Sequence, residues 1–219
     1  MSNQTDKDRN TATLILEAAE EQFSKFGYSK VTMEEIAEQA GLGKASLYYY
    51  HSTKEELFHA VLAKKFAEFA APVQDLLVSN APVQERLRKY VEERHLFFNR
   101  LLSLYITDFK AIPRNRPLLK SFFTECAAHE LTWLTKLFDE GRHSGEFAVH
   151  SAEKTALAFL HIMQGLRLRY LSSQEAAPSR SDTKDMHQEM EYISGIFLRG
   201  IQRNEDGAAS PELHDQHGN

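Results

Sequence analysis

The sequence predicts an all-α protein, and three observations carry that expectation. Apolar residues recur at the three-and-four spacing of helices along nearly the whole chain. Sustained alternation of apolar and polar residues, the mark of a strand, is absent. Prolines and glycines punctuate the periodic segments and divide them into helices of ordinary length.

The first helix is set by Ile15, Ala18, Ala19, Gln22, Phe23 and Phe26, with Gln22 the only polar member of the stripe. Gly27 ends it, in the position where a helix terminus favours glycine. Thr32 and Glu35 then form a capping box, in which hydroxyl and carboxylate each satisfy an otherwise orphaned amide. Ile36, Ala37 and Ala40 give that second helix its apolar face. Ala37 is small where two helices cross closely, and Gly41 supplies the positive φ of a tight turn. Leu42 and Leu47 anchor a third helix, roughly Lys44 to Tyr50, to the same small core. Thr53 and Glu56 form a second capping box that opens the next helix near Lys54.

Beyond that point, Pro72 and Pro82 bracket an expected turn region. The run Ile112 to Pro117 holds two prolines and cannot be continuous helix. Leu119, Phe122, Cys126, His129, Trp133 and Leu137 then share one helical face. Gly141 to Gly145 reads as a turn, and Gln174 to Ser181 as a flexible connection. After Arg203 the chain turns polar and acidic, and a disordered tail is expected. The expected division is a head at 10–56, a larger helical domain at 57–203 and a tail at 204–219.

The totals narrow the function classes. Lysine and arginine number 26 against 31 acids, a net charge of −5, which argues against a protein that coats nucleic acid without sequence preference. A specific reader remains open, because the charge of the docking face decides. One cysteine, Cys126, forms no internal bridge and no multi-cysteine zinc site. No apolar run approaches the roughly 18 residues that span a bilayer, and residues 1–13 lack the apolar core of a signal peptide. The expected location is the cytoplasm, with no membrane partner.

Small residue, turn glycine and apolar anchor at these intervals form the pattern of a DNA-reading helix-turn-helix. The second helix of that pair suits groove entry. Lys44 can donate to guanine or phosphate, Ala45 and Ser46 permit close approach, and Tyr48, Tyr49 and Tyr50 offer hydroxyls to phosphates. No acid stands between Ala40 and Lys54.

With Ile15-Leu16-Glu17-Ala18-Ala19, Phe23, Gly27, Thr32, Ile36 to Leu42, Ser46-Leu47-Tyr48 and Lys54 to Leu57, the segment from Ile15 to Leu62 resembles the N-terminal domain of the TetR family of transcriptional regulators. The resemblance implies a three-helix helix-turn-helix domain followed by a helical ligand-binding and dimerisation domain. It implies DNA contacts from Thr32, Met33, Lys44, Ala45, Ser46, Tyr48, Tyr49 and Tyr50, and a phosphate contact from Lys54. Two positions depart from the family pattern. Gly43 replaces the serine that often caps the reading helix, and His51 replaces a core phenylalanine, so His51 is expected to be packed or to face phosphate.

The resemblance also implies a homodimer, paired through the last two long helices, here Ser151 to Leu171 and Asp182 to Ile201. Phe159, Met163, Ile193, Phe197 and Ile201 are the candidate contacts, with Gly165 allowing close approach. An effector pocket in this architecture draws on apolar groups and a few polar ones. The candidate liners are His95, Phe98, Leu102, Tyr105, Phe122, Cys126, His129, Trp133, His161 and Gln164. Their aromatic content points to a small, largely apolar or planar ligand. No metal or other cofactor is expected, since no histidine pair stands at i, i+4 among His95, His129 and His161. Cys126 is expected to behave as a small buried apolar residue.

The leading expectation is therefore a repressor released from a palindromic double-stranded DNA operator by an unidentified small-molecule effector. A DNA-binding adaptor whose C-terminal domain takes a protein partner is the alternative. A helical enzyme lacks a paired acid and base, a phosphate loop and a nucleophile motif.

Overall fold

The computed structural model describes residues 2–105, 116–172 and 180–203. Most of the expected breaks at 112–117 and 174–181, and the tail at 204–219, lie outside the described residues. Among those described, the chain forms α1 (Ser2–Phe26), α2 (Met33–Gln39), α3 (Lys44–Tyr50), α4 (Lys54–Val78), α5 (Val83–Tyr105), α6 (Arg116–Ser144), α7 (Ala152–Ser172) and α8 (Arg180–Ile201). The all-α expectation holds: an isolated antiparallel bridge between Phe147 and Gln202 is the only extended pairing among these residues.

Local chemistry builds the head. Thr32 accepts from the Glu35 amide, and Glu35 accepts from the Thr32 amide at 2.7 Å, so the capping box is complete. α2 then stops in a Schellman arrangement. Gly41 takes φ +67° and donates to Glu38, while Leu42 donates to the Ala37 carbonyl at 2.8 Å. The second box is half formed. Thr53 caps the Glu56 amide, but the Glu56 carboxylate reaches back to Ser52 rather than to Thr53. The head's core is aromatic: the Phe58 ring lies 5.2 Å from Phe23 and 4.5 Å from Tyr28, with Ile36 and Leu47 enclosed beside them.

Two expected breaks are corrected. Pro72 lies inside α4, which continues to Val78. Buried Phe69 and Val73 and half-buried Leu76 and Leu77 carry the apolar stripe past it, and that packing outweighs the one amide hydrogen bond proline removes. Gly141 likewise lies within α6, which ends at Ser144 before Gly145 at φ +83°.

α4 also runs straight through the expected boundary at 56/57. It therefore belongs to both units. Its first turns carry Leu57 and Phe58 into the head core, and later turns carry Phe66 and Phe69 among the rings of the C-terminal domain. Lys65 fastens the junction from the side by pairing with Glu20 of α1 at 2.5 Å.

Candidate nucleic-acid interface and effector site

α3 divides its seven residues cleanly. Leu47 is fully enclosed and pins the helix to the head. Lys44, Ala45, Ser46, Tyr48 and Tyr49 face outward, and Tyr49 is 84% exposed. Gly43 caps the helix without a side-chain hydrogen bond, as its lack of a side chain dictates. Tyr50 is half-buried and its hydroxyl points toward Asp8 at 3.4 Å.

The tertiary structure adds an acid that the local sequence lacks. Glu34, from α2, pairs with Lys44. That hydrogen bond holds the lysine above its usual range and the carboxylate below its own. The Lys44 ammonium also lies 5.7 Å from the Tyr48 ring. Its positive charge is thus poised on the face but shared, so a phosphate or base would compete with Glu34 for it.

Three expected DNA contacts are placed differently from one another. Thr32 is exposed and spends its hydroxyl on the α2 cap. Met33 is buried in the head core, because the first turn of α2 directs its apolar face inward. Lys54 is corrected: its ammonium donates to the carbonyls of Tyr28 and Val31 at 2.9 and 2.8 Å and sits 4.7 Å from the Tyr28 ring. It ties the α1–α2 connection to α4 instead of standing out toward a phosphate. His51 takes the packed alternative, at 15% side-chain exposure, with burial lowering its pKa.

In the C-terminal domain, His95, Phe98, Phe122, Cys126 and Trp133 are all buried. Phe66 stacks on Trp133 at 5.7 Å, and Phe69 stacks on Phe97 at 4.8 Å, so the rings form one continuous layer across α4, α5 and α6. His129 is exposed, although its ring lies 5.6 Å from Phe66. Gln164 is half-buried. His161 is corrected: it faces outward from α7 and lines no interior. The side chains of Leu102 and Tyr105 lie outside the described residues. Burial, and then the neighbouring Glu130, push the Cys126 thiol up to about 12, so it stays protonated and apolar in character.

The polar centre of this domain was not found from the sequence. Glu130 is 2% exposed and accepts from Arg94 Nε at 2.5 Å and from the Tyr90 hydroxyl. Arg94 and Tyr90 are fully enclosed. A second buried guanidinium, Arg86, pairs with Glu140. The signal was present in the register. Glu130 is four residues from Cys126 and seven from Leu137, inside the apolar stripe, and Arg94 occupies the corresponding stripe of α5. A charge in an apolar stripe on each of two helices predicts a buried pair.

His95 packs its ring 4.2 Å from that of His187 and contacts Asn99 at 2.8 Å. Burial first, and the facing histidine second, push its pKa down to about 4. The unfolded chain accepts a proton near pH 6.5 that the folded chain refuses until about 4. Stability should therefore be complete above about pH 6.5 and fall as the pH drops toward 4, by about 3 kcal/mol at most. Equilibrium unfolding across that window checks this, and His95→Gln should flatten the slope. An unchanged slope in the variant would assign acid lability to other groups.

The outer face of α7 and α8 also differs from expectation. Phe159 and Met163 are fully enclosed in their own subunit, where Phe159 packs on Phe138 and Phe197 at 5.7 and 5.2 Å. They are corrected from partner contacts to core residues, because α7 also packs against α6. Ile193, Phe197 and Ile201 are half-buried, and Gly165 is exposed. The exposed apolar residues are instead Leu157 and Leu168 on α7 and Tyr192 and Ile196 on α8. No helix of the described residues is long and apolar enough to cross a membrane. No group of three or more potential metal ligands gathers among them.

Residues 15–61 match the family described as bacterial regulatory proteins, tetR family. The crystal structure of a transcriptional regulator from Cytophaga hutchinsonii is similar with a TM-score of 0.80 and 32% identity, over 87% of this chain and 98% of that one. The uncharacterized HTH-type transcriptional regulator YhgD of Bacillus subtilis is 33% identical over 76 residues, 35% of this chain. The matched stretch spans 40% of YhgD's own length. The fatty acid metabolism regulator protein of Bacillus subtilis is 24% identical over 132 residues, 60% of this chain and 68% of that protein.

Proposed function

The chain belongs to the TetR family of DNA-binding transcriptional regulators, and from that premise we propose that it is a repressor. It holds a near-palindromic operator as a homodimer and leaves it when a small, largely apolar or aromatic molecule enters the C-terminal domain. The observation that carries this reading is the outward face of α3. Lys44, Ser46, Tyr48 and Tyr49 stand exposed together while Leu47 anchors the helix from behind. One seven-residue helix offers a small footprint, so two heads on a two-fold axis are the physical motive for a dimer.

The stripe Leu157, His161, Gly165 and Leu168 on α7 supports the dimer, as do Tyr192 and Ile196 on α8. These residues recur at three-to-four spacing on a face that the subunit leaves uncovered. Release then follows from α4. The helix starts beside the reading helix and carries Phe66 and Phe69 into the aromatic layer, so a ligand that shifts those rings shifts the head. Two heads must stand roughly 34–36 Å apart to enter successive major grooves. A coupling of about 1–3 kcal/mol is enough to switch occupancy. The name of the fatty acid metabolism regulator fits an effector with an apolar body.

Selection of bound genomic DNA by the purified protein tests the reading, and a palindromic motif is the expected result. Lys44→Ala should then weaken operator binding by about 1–3 kcal/mol if the lysine reads a base. Equal loss on operator and random DNA would instead leave Lys44 a phosphate contact. A folded dimer that enriches no motif, with or without ligand, would remove the reading role.

A further inference from the structure

Among the described residues, Arg94 and Arg167 form a pair of cations that a single acid, Glu130, faces. Arg94 gives its Nε to Glu130, but its Nη1 and Nη2 are buried and find no acceptor among the described residues. Arg167, from α7, has a buried Nε without an acceptor, and no ion pair of it stands among the described residues. Both guanidiniums lie against one ring: the Arg94 carbon is 4.7 Å and the Arg167 carbon 4.4 Å from the centre of Phe98. Arg167 is also 4.3 Å from the centre of Phe123. Glu130 is the acid that acts on both. Among the described residues, two guanidiniums against one carboxylate leave a surplus of one positive charge at this cluster. Burial, and the neighbouring Arg94, push the Arg167 pKa down to about 10, the direction expected when cations crowd without an anion between them. A buried donor left unsatisfied is costly, and more so when charged.

We infer that the effector is an amphipathic monocarboxylic acid. Its carboxylate is gripped by Arg94 of α5 and Arg167 of α7, and its apolar body lies along Phe98, Phe122 and Phe123. The inference rests on the reading of the C-terminal domain as an effector domain and adds the effector's charge. A carboxylate matches the planar fork of a guanidinium. A single negative charge cancels the surplus, whereas a dianionic phosphate would overshoot it. Aromatic rings surround the pair, since Phe122 and Phe123 pack 5.4 Å apart and Phe98 lies 6.2 Å from Phe123, and a ligand's apolar part would insert among them.

Trp133 is the only tryptophan and stands in the same aromatic layer, so its emission reports occupancy. The purified full chain is titrated with decanoate and 2-naphthoate, and in parallel with 1-decanol and 2-naphthalenemethanol. Each acid should bind on the order of ten-fold more tightly than its alcohol, the effect of a charge-assisted hydrogen bond. Arg167→Gln, which breaks no ion pair among the described residues, should bring the acids to the level of the alcohols while the circular dichroism spectrum stays unchanged. If that variant fails to fold, the double substitution Arg94→Met with Glu130→Leu, which removes cation and anion together, should erase the preference in its place. Acids that bind no better than alcohols, acids that fail to bind up to their solubility limit, or an acid preference that survives both substitutions would overturn the inference. The two readings fail separately. An acid preference that leaves operator affinity unchanged keeps the acid site and removes the effector role. Operator release by the neutral alcohols without an acid preference does the reverse.

Discussion

Glu130→Leu should lower the stability of the protein by about 3–5 kcal/mol, the cost of leaving a buried charge without its partner. The Arg94 guanidinium is fully enclosed and Glu130 is its only acid partner among the described residues, while the Tyr90 hydroxyl loses its acceptor in the same step. At about 2–4 °C per kcal/mol for a chain of this size, the melting temperature should fall by roughly 10 °C. Adding Arg94→Met should restore most of the loss. A buried pair replaced by apolar side chains of similar volume is commonly neutral, because the desolvation cost of both charges disappears with their attraction. Thermal unfolding of the two variants beside the parent checks this. Wild-type stability in Glu130→Leu would mean that water reaches the Arg94 site.

Phe58→Ala should cost about 3–5 kcal/mol, concentrated in the head. Phe58 is fully enclosed, and its ring bridges Phe23 of α1 and Tyr28 at the α1–α2 connection. Its removal opens a hole where α1, α4 and the reading pair meet. Operator binding should be lost at temperatures where the C-terminal domain still gives a folded helical signal. Fluorescence anisotropy with labelled operator, beside hydrogen exchange of the head amides, reads both effects. Parental DNA affinity in Phe58→Ala would show that α2 and α3 are held by other contacts.

The head was legible because its structure is written in short-range chemistry. A cap such as Thr32 with Glu35 spans four residues, and the turn at Gly41 needs one conformation that glycine alone adopts without strain. The spacing from Ala37 to Leu47 defines two crossing helices without reference to the remainder of the chain. The C-terminal helices were legible as helices for the same reason, since α7 and α8 lie within two residues of their expected bounds.

What the sequence by itself determined is therefore the helical class, the reading pair with its caps and turn, and the membership that those motifs carry. The tertiary structure alone decided which of several possible faces each helix buries. A stripe has a period but no partner. α7 is apolar on two sides, and only its contact with α6 and α8 made Phe159 and Met163 core while leaving Leu157 and Leu168 outside. The same holds for charge. Lys44 meets Glu34 and Lys54 meets two carbonyls of the α1–α2 connection, each across a separation that no local pattern encodes. Burial and pairing are properties of neighbours in space, and packing of the whole chain selects those neighbours.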